Sequence, residues 1–226
     1  MFKGMFITIK SWWGLNNERW CIIAGHFGGY PYSWGTGTNS SHIARYFICR
    51  GWIMPGETVL DAGCGTGYGT KMISQVAKKA IGVDVDKGCV AEARLYKKKY
   101  PKIWGDCTFR TLDLGKDELP DVDVVISIEA TEHVRGLEHF VEQLHKHTKR
   151  MFIICVPFGG TSHAYKDEPA SPATEKNDFV TDGDFINTFV NDEWKLFTHW
   201  MFGYSIIGVF FKEEPKPPKP VGDLLW

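Results

Sequence analysis

Residues 58–69 read Thr-Val-Leu-Asp-Ala-Gly-Cys-Gly-Thr-Gly-Tyr-Gly, and no other stretch restricts the fold so tightly. An apolar run closing on an acid predicts a buried parallel strand. Glycines at 63, 65, 67 and 69 follow at once. The backbone therefore turns sharply there and leaves room for something to lie against it. A glycine-rich turn between a strand and a helix commonly serves a ligand, and spacing separates the candidates. The dinucleotide fingerprint needs glycines at relative positions one, three and six. Counting from Gly63 the sixth position is Tyr68, and from Gly65 it is Thr70. Neither register obeys. A phosphate-cradling loop ends in Gly-Lys-Ser/Thr, whereas here Lys71 follows Thr70.

Further strands repeat the pattern. Ala80-Ile81-Gly82-Val83-Asp84 is a second apolar run ending in an acid, about twenty residues beyond Gly63, where a carboxylate can accept from both hydroxyls of a ribose. The duller role for Asp84 is a helix cap, but Asp86 suits that better ahead of the helix at 87–96. Residues 107–113, Cys-Thr-Phe-Arg-Thr-Leu-Asp, predict a third strand closing on Asp113. Residues 122–128 predict a fourth, which leads into Glu129-Ala130-Thr131-Glu132-His133.

The run Asp61-Ala62-Gly63-Cys64-Gly65-Thr66-Gly67, with Asp84 and Asp113 in step behind it, resembles the first motifs of class I S-adenosylmethionine-dependent methyltransferases. The resemblance implies a cofactor site for S-adenosylmethionine, with S-adenosylhomocysteine as product. In it Gly63, Cys64, Gly65, Gly67 and Tyr68 pack on the methionine part, and Asp61 helps position the amino group. Asp84 with Val85 holds the ribose, while Leu112 and Asp113 meet the adenine. Sequence around Arg19–Tyr46 also resembles methyltransferases in which a His/Arg/Tyr helix touches the cofactor carboxylate. That adds Arg45, with His42 and Tyr46, to the candidates.

The fold class expected is α/β, a Rossmann-like three-layer sandwich around a seven-stranded, mostly parallel sheet with an antiparallel last strand. Helices are expected at 69–78, from 87 to about 100, at 136–149 and from Asp182 or Asp184 to 190. A fifth strand is expected at 151–156, and a closing pair at 194–200 and 205–212. The core would span 57–212. Ahead of it lies an extension, 1–56, holding five of the nine tryptophans and a helix at 42–52 capped by Ser40 or Ser41. Its aromatics read equally as a lid shaping an acceptor pocket or as simple packing. The polar segment 159–177 reads as a loop at the ligand end of the sheet, and 213–226 as a Pro/Lys-rich tail.

Composition removes several functional classes. With 43% hydrophobic and 23% charged residues the chain reads as an ordinary globular protein. A net charge of -1 supplies no general attraction to nucleic acid or anionic membrane. The runs at 97–99 and 145–150 read as solvated helix faces. Six cysteines without a CxxC spacing read as free thiols. No apolar segment reaches membrane-spanning length, and the compartment expected is the cytoplasm.

Chemistry concentrates after the fourth strand. If the chain turned helical at once, Glu129, Glu132 and His133 would share a face, a donor set for a divalent ion. Glu-x-x-Glu-His is similar to the metal motif of quinone-biosynthesis and small-RNA 2′-O-methyltransferases. In the latter a further histidine follows strand five, and His163 is placed for it. His133 and Glu132 are also the candidate catalytic pair, as acid/base or acceptor-orienting groups. The function expected is O-methylation of a small-molecule, sugar or lipid-like acceptor. The alternatives are RNA or other nucleic-acid methylation, disfavoured by charge, and a non-catalytic S-adenosylmethionine-binding protein.

Overall fold

The computed structural model describes residues 36–158 and 179–212. His163, the segment 159–177, the tail and the tryptophans before residue 36 lie outside them.

Helix α1 (Thr36–Arg50) precedes β1 (Thr58–Ala62), α2 (Tyr68–Ser74), β2 (Lys79–Asp84), α3 (Lys87–Lys99), β3 (Cys107–Thr111) and β4 (Val122–Ile128). Then come α4 (Leu137–His147), β5 (Thr148–Pro157), α5 (Asp182–Phe189), β6 (Lys195–Phe202) and β7 (Ser205–Phe211). The seven strands form one sheet in the order β3-β2-β1-β4-β5-β7-β6. The pairs from β3 through to β5 are parallel, and β7 runs antiparallel to both β5 and β6. The expected architecture holds. Order reverses between β1 and β4, so the crevice at their carboxyl ends is where an open α/β sheet takes its ligand.

Strand alternation feeds two cores. Leu60, Val83, Val125, Phe152 and Phe210 face Phe140 and Leu144 of α4 and Phe185 and Phe189 of α5, with Trp194. Val59, Ala80, Val124, Ile153 and Val209 face the other way, against Tyr46 and Cys49 of α1, Ile73 of α2, and Val90 and Ala93 of α3. A strand buried on both faces has no polar alternation to show, which is why the parallel strands read as continuous apolar runs.

Local differences have local causes. β3 stops at Thr111, because Leu112 is the last residue to bond across to β2, its N–H donating to the Asp84 carbonyl. Asp113 opens the loop beyond. α1 begins at Thr36, which puts Ser40 and Ser41 inside it, where they are no caps. α4 ends at His147 and β5 starts at once at Thr148. α5 is capped by Thr181 through a reciprocal box with Asp184, the arrangement that satisfies two orphan N–H groups together. Asp86 does cap α3, accepting from Gly88 and Cys89 N–H.

Candidate active site

The glycine turn is pinned from below. Gly63 and Cys64 N–H both donate to the Val83 carbonyl (2.9 and 2.8 Å), and Gly67 N–H donates to Cys64 O. Gly63 sits at φ +81, and a Cβ there would lie 2.2 Å from Ala130 Cβ. The turn after β1 and the loop after β4 therefore touch, and glycine is the residue that lets them. Gly65, at φ +52, has open space on its Cβ side. Gly67 carries the helix into α2 at φ +83.

Asp61 does not reach the crevice. It is wholly buried. Oδ1 accepts from the Tyr46 hydroxyl at 3.0 Å and Oδ2 from Thr70 Oγ1 at 2.5 Å. Burial pushes its carboxyl up to about 6, against the pull of the Thr70 and Tyr46 hydrogen bonds and with a small push from Asp84. Two protein donors thus meet the carboxylate that the resemblance assigned to the amino group. Cys64 is buried beside it, and burial pushes its thiol up. Tyr68 is hydrogen-bonded to His42 Nδ1 of α1 and stands edge-on to Tyr46.

Asp84 is placed differently. Oδ2 accepts from Gly65 N–H at 2.7 Å and Oδ1 from Asp86 N–H at 2.9 Å. Each oxygen keeps acceptor capacity, and the residue is only half-buried, with burial raising its pKa. Val85 beside it is 44% exposed. Leu112 lies nearly buried at the end of β3. Asp113 is committed to its own loop, accepting from Gly115 N–H and pairing with Lys116 at 3.0 Å.

After β4 the chain does not turn α-helical. Glu129 takes a left-handed conformation at φ 53, and only Thr131–His133 form a single 3-10 turn. The shared helical face expected for Glu129, Glu132 and His133 is lost. Glu129 turns to Arg45, 4.0 Å away, and accepts from the Cys155 thiol at 3.4 Å. Glu132 is 3% exposed, while His133 Nε2 lies 3.8 Å from Glu132 Oε1 on a side chain that is 46% exposed. The helical donor face expected for a divalent ion is therefore not formed by the described residues. Among the described residues no group of three or more His, Cys, Asp or Glu side chains is placed to hold a metal ion.

Neither Glu132 oxygen has a hydrogen-bond partner among the described residues. Burial, then the neighbouring Glu129 charge, hold its carboxyl well above the ordinary range, with Arg45 opposing. Arg45 is itself buried. It donates to Ser205 Oγ at 2.8 Å and covers the Phe202 ring, while its Nε–H has no partner among the described residues. Sequence reasoning missed Thr70 and Ser205. Thr70 carried a signal, a small hydroxyl in the first turn of a helix leaving a glycine loop. Ser205 lies 160 residues from its partner and carried none.

Residues 60–150 match the methyltransferase domain family. That span includes the glycine turn, Asp84, Asp113 and the Glu129–His133 loop. A probable S-adenosylmethionine-dependent methyltransferase of Mycolicibacterium smegmatis is 34% identical over 121 residues, 52% of this chain and 44% of that relative. Over this segment the chain is similar to S-adenosylmethionine-dependent methyltransferases. A probable methyltransferase of Mycobacterium tuberculosis, also described as S-adenosylmethionine-dependent, is 30% identical over 140 residues, 57% of this chain and 48% of that relative. The chain spans about half the length of the curated relatives it matches. Its fold is also that of magnesium protoporphyrin IX methyltransferase from Synechocystis PCC 6803, solved with bound S-adenosylhomocysteine. The TM-score is 0.65 at 17% identity, over 88% of this chain and 96% of that one. No described helix is long and apolar enough to cross a membrane.

Proposed function

We propose that this protein binds S-adenosylmethionine in the crevice between β1 and β4 and transfers its methyl group to an oxygen of a small-molecule, sugar or lipid-like acceptor. The observation that carries the reading is the pair at the carboxyl edge of β4, a buried Glu132 whose carboxylate has no hydrogen-bond partner among the described residues, 3.8 Å behind the exposed imidazole of His133.

The residues fit the cofactor. Open space over Gly65 leaves the backbone bare for the methionine part. The half-buried Asp84 keeps acceptor capacity for two ribose hydroxyls, and Val85 and Leu112 offer apolar surface for the adenine. The Arg45 Nε–H, buried without a partner among the described residues, matches a carboxylate. Asp113 would reach the adenine only by giving up part of its loop.

Bound S-adenosylmethionine supplies an activated methyl on a sulfonium. The chain must align the acceptor and exclude water. An alcohol or phenol must also lose its proton, and His133 is the group placed to take it. Positive charge arriving on His133 favours the ionised form of Glu132 behind it, which steadies the imidazolium. Arg45 offsets the two glutamates from the opposite side.

Calorimetry with S-adenosylhomocysteine tests the cofactor half of the reading. Micromolar-range affinity is expected, weakened by roughly 1.5–3 kcal/mol in Asp84→Ala through loss of charge-assisted hydrogen bonds. A wild-type protein that does not bind refutes it. A labelled-methyl screen across metabolite, glycan and RNA pools tests the acceptor half. His133→Ala should keep cofactor affinity and lose transfer. Full transfer by that variant would remove His133 from the mechanism, and labelling confined to RNA would replace the small-molecule acceptor.

A further inference from the structure

Helix α1 meets the cofactor turn through one face. His42, Arg45 and Tyr46 stand at i, i+3 and i+4, positions that share a helix face, and reach Tyr68, Glu129 with Ser205, and Asp61 respectively. Of the three, Tyr46 is the most deeply built in. It is 2% exposed, and its ring occupies the space a Cβ on Gly69 would need, 2.1 Å from that position. Its hydroxyl donates to Asp61 Oδ1, while Oδ2 of the same carboxylate holds Thr70. Asp61 is thus a buried three-way joint between α1, β1 and the first turn of α2, directly under the glycine turn.

Resting on the cofactor reading above, we infer that Tyr46 is a positioning residue for cofactor binding, acting through Asp61 to hold the glycine turn in its ligand-accepting shape. The reason lies in what each bond does. Asp61 at the end of β1 fixes where the turn leaves the sheet, and Thr70 fixes where the chain re-enters a helix. The carboxylate can tie these two points only while it stays aimed at both. Its rotation is blocked on one side by the Tyr46 hydroxyl. Without that donor the carboxylate is held from Thr70 alone, through its hydroxyl and its backbone N–H, and the tie to α1 is lost, so the span from residue 62 to 69 loses a fixed end.

The groups facing Asp61 leave no substitute. Tyr46 and Cys49 face it from α1, Cys64 from the turn, Tyr68 from α2 and Asp84 from the end of β2. Its partner in β4 is the apolar Ile126. Among the described residues these titratable neighbours are acidic or neutral, and none is a cation that would compensate for a lost hydrogen bond.

The test uses the full chain with Tyr46→Phe, which keeps the ring over Gly69 and deletes only the donor. Calorimetry with S-adenosylhomocysteine at neutral pH should show affinity lowered roughly tenfold. In the ligand-free protein, carbon NMR of the Asp61 carboxyl should titrate near about 6 in the wild type and at higher pH in Tyr46→Phe, because a donor to the ionised form is gone. The acid side of the binding profile should move up with it. Asp61→Asn should bind weakly and lose that pH dependence. A ring that merely packs would change melting temperature and leave both the affinity and the Asp61 titration in place, and that result overturns the inference. Failure of wild-type protein to bind S-adenosylhomocysteine would sink the cofactor reading instead, and the ligand-free titration would still decide whether Tyr46 acts on Asp61.

Discussion

Two glycines in the same turn should respond to alanine in opposite ways. At Gly63 the added Cβ would lie 2.2 Å from Ala130 Cβ, where two carbons need roughly 3.5–4.0 Å. At Gly65 no atom of the described residues lies within 4 Å. Both positions have positive φ, +81 and +52, so each alanine meets a left-handed penalty of about 1–2 kcal/mol. Each also regains about 0.4–1 kcal/mol by stiffening the unfolded chain. Only Gly63→Ala adds overpacking, about 1–3 kcal/mol, because the β1 turn and the β4 loop must part. Gly63→Ala should therefore be less stable than Gly65→Ala by about 1–3 kcal/mol. Equilibrium urea unfolding measures it as a lower midpoint at unchanged slope. Cofactor affinity should order the other way relative to stability. Gly65→Ala stays folded but fills the space proposed for the methionine part, and so loses affinity out of proportion to its stability. Stabilities within about 0.5 kcal/mol of each other, the range of ordinary surface changes, would refute the contact between turn and loop.

Two further outcomes follow from the buried charges. Glu132 has its carboxyl raised well above the ordinary range. The stability it contributes is therefore full below its unfolded value and lost as pH rises through its folded one. Asp61 acts with the same sign between 3.8 and about 6. Melting temperature should fall from mildly acid to alkaline pH, and Glu132→Gln should flatten the upper part of that fall. Parallel curves for the two proteins would show that Glu132 does not titrate in the fold. Arg45→Ala should cost about 3–5 kcal/mol, the usual consequence of leaving a buried partner charge uncompensated, here Glu129. A loss under about 1 kcal/mol in thermal unfolding would show that the 4.0 Å approach to Glu129 contributes as little as a surface pair.

What could be read from the sequence was what local chemistry dictates. Strands β1, β2 and β4 announce themselves because both faces are buried and most positions ahead of the acids Asp61, Asp84 and Glu129 are apolar, Asp123 and Ser127 of β4 apart. Asp86 was legible as a cap for a similar reason, since its bonds reach only two and three residues along the chain. The failures are places where a distant contact overrules local preference. Glu129 would continue into a helix by propensity, but Arg45 and Cys155 draw it aside into a left-handed turn, and the expected metal site goes with it. Asp61 stands where the resemblance puts it, and its bond from Tyr46, fifteen residues earlier, is a contact that no local pattern announces. Thr181 was legible and overlooked, because two aspartates nearby looked like better caps.

The hydrogen bond from Arg45 to Ser205 joins residues 160 positions apart, and it sets the order in which this molecule can become competent. Loop closure over such a separation is slow to be rewarded during folding. A ribosome delivers α1 and the whole glycine turn long before β7 exists. Until Ser205 emerges, Arg45 has no hydroxyl to anchor it, and the two glutamates it offsets must wait with it. A nascent chain carrying every residue of the cofactor turn should therefore remain unable to hold the cofactor tightly. Competence would arrive in one step, with the last strand.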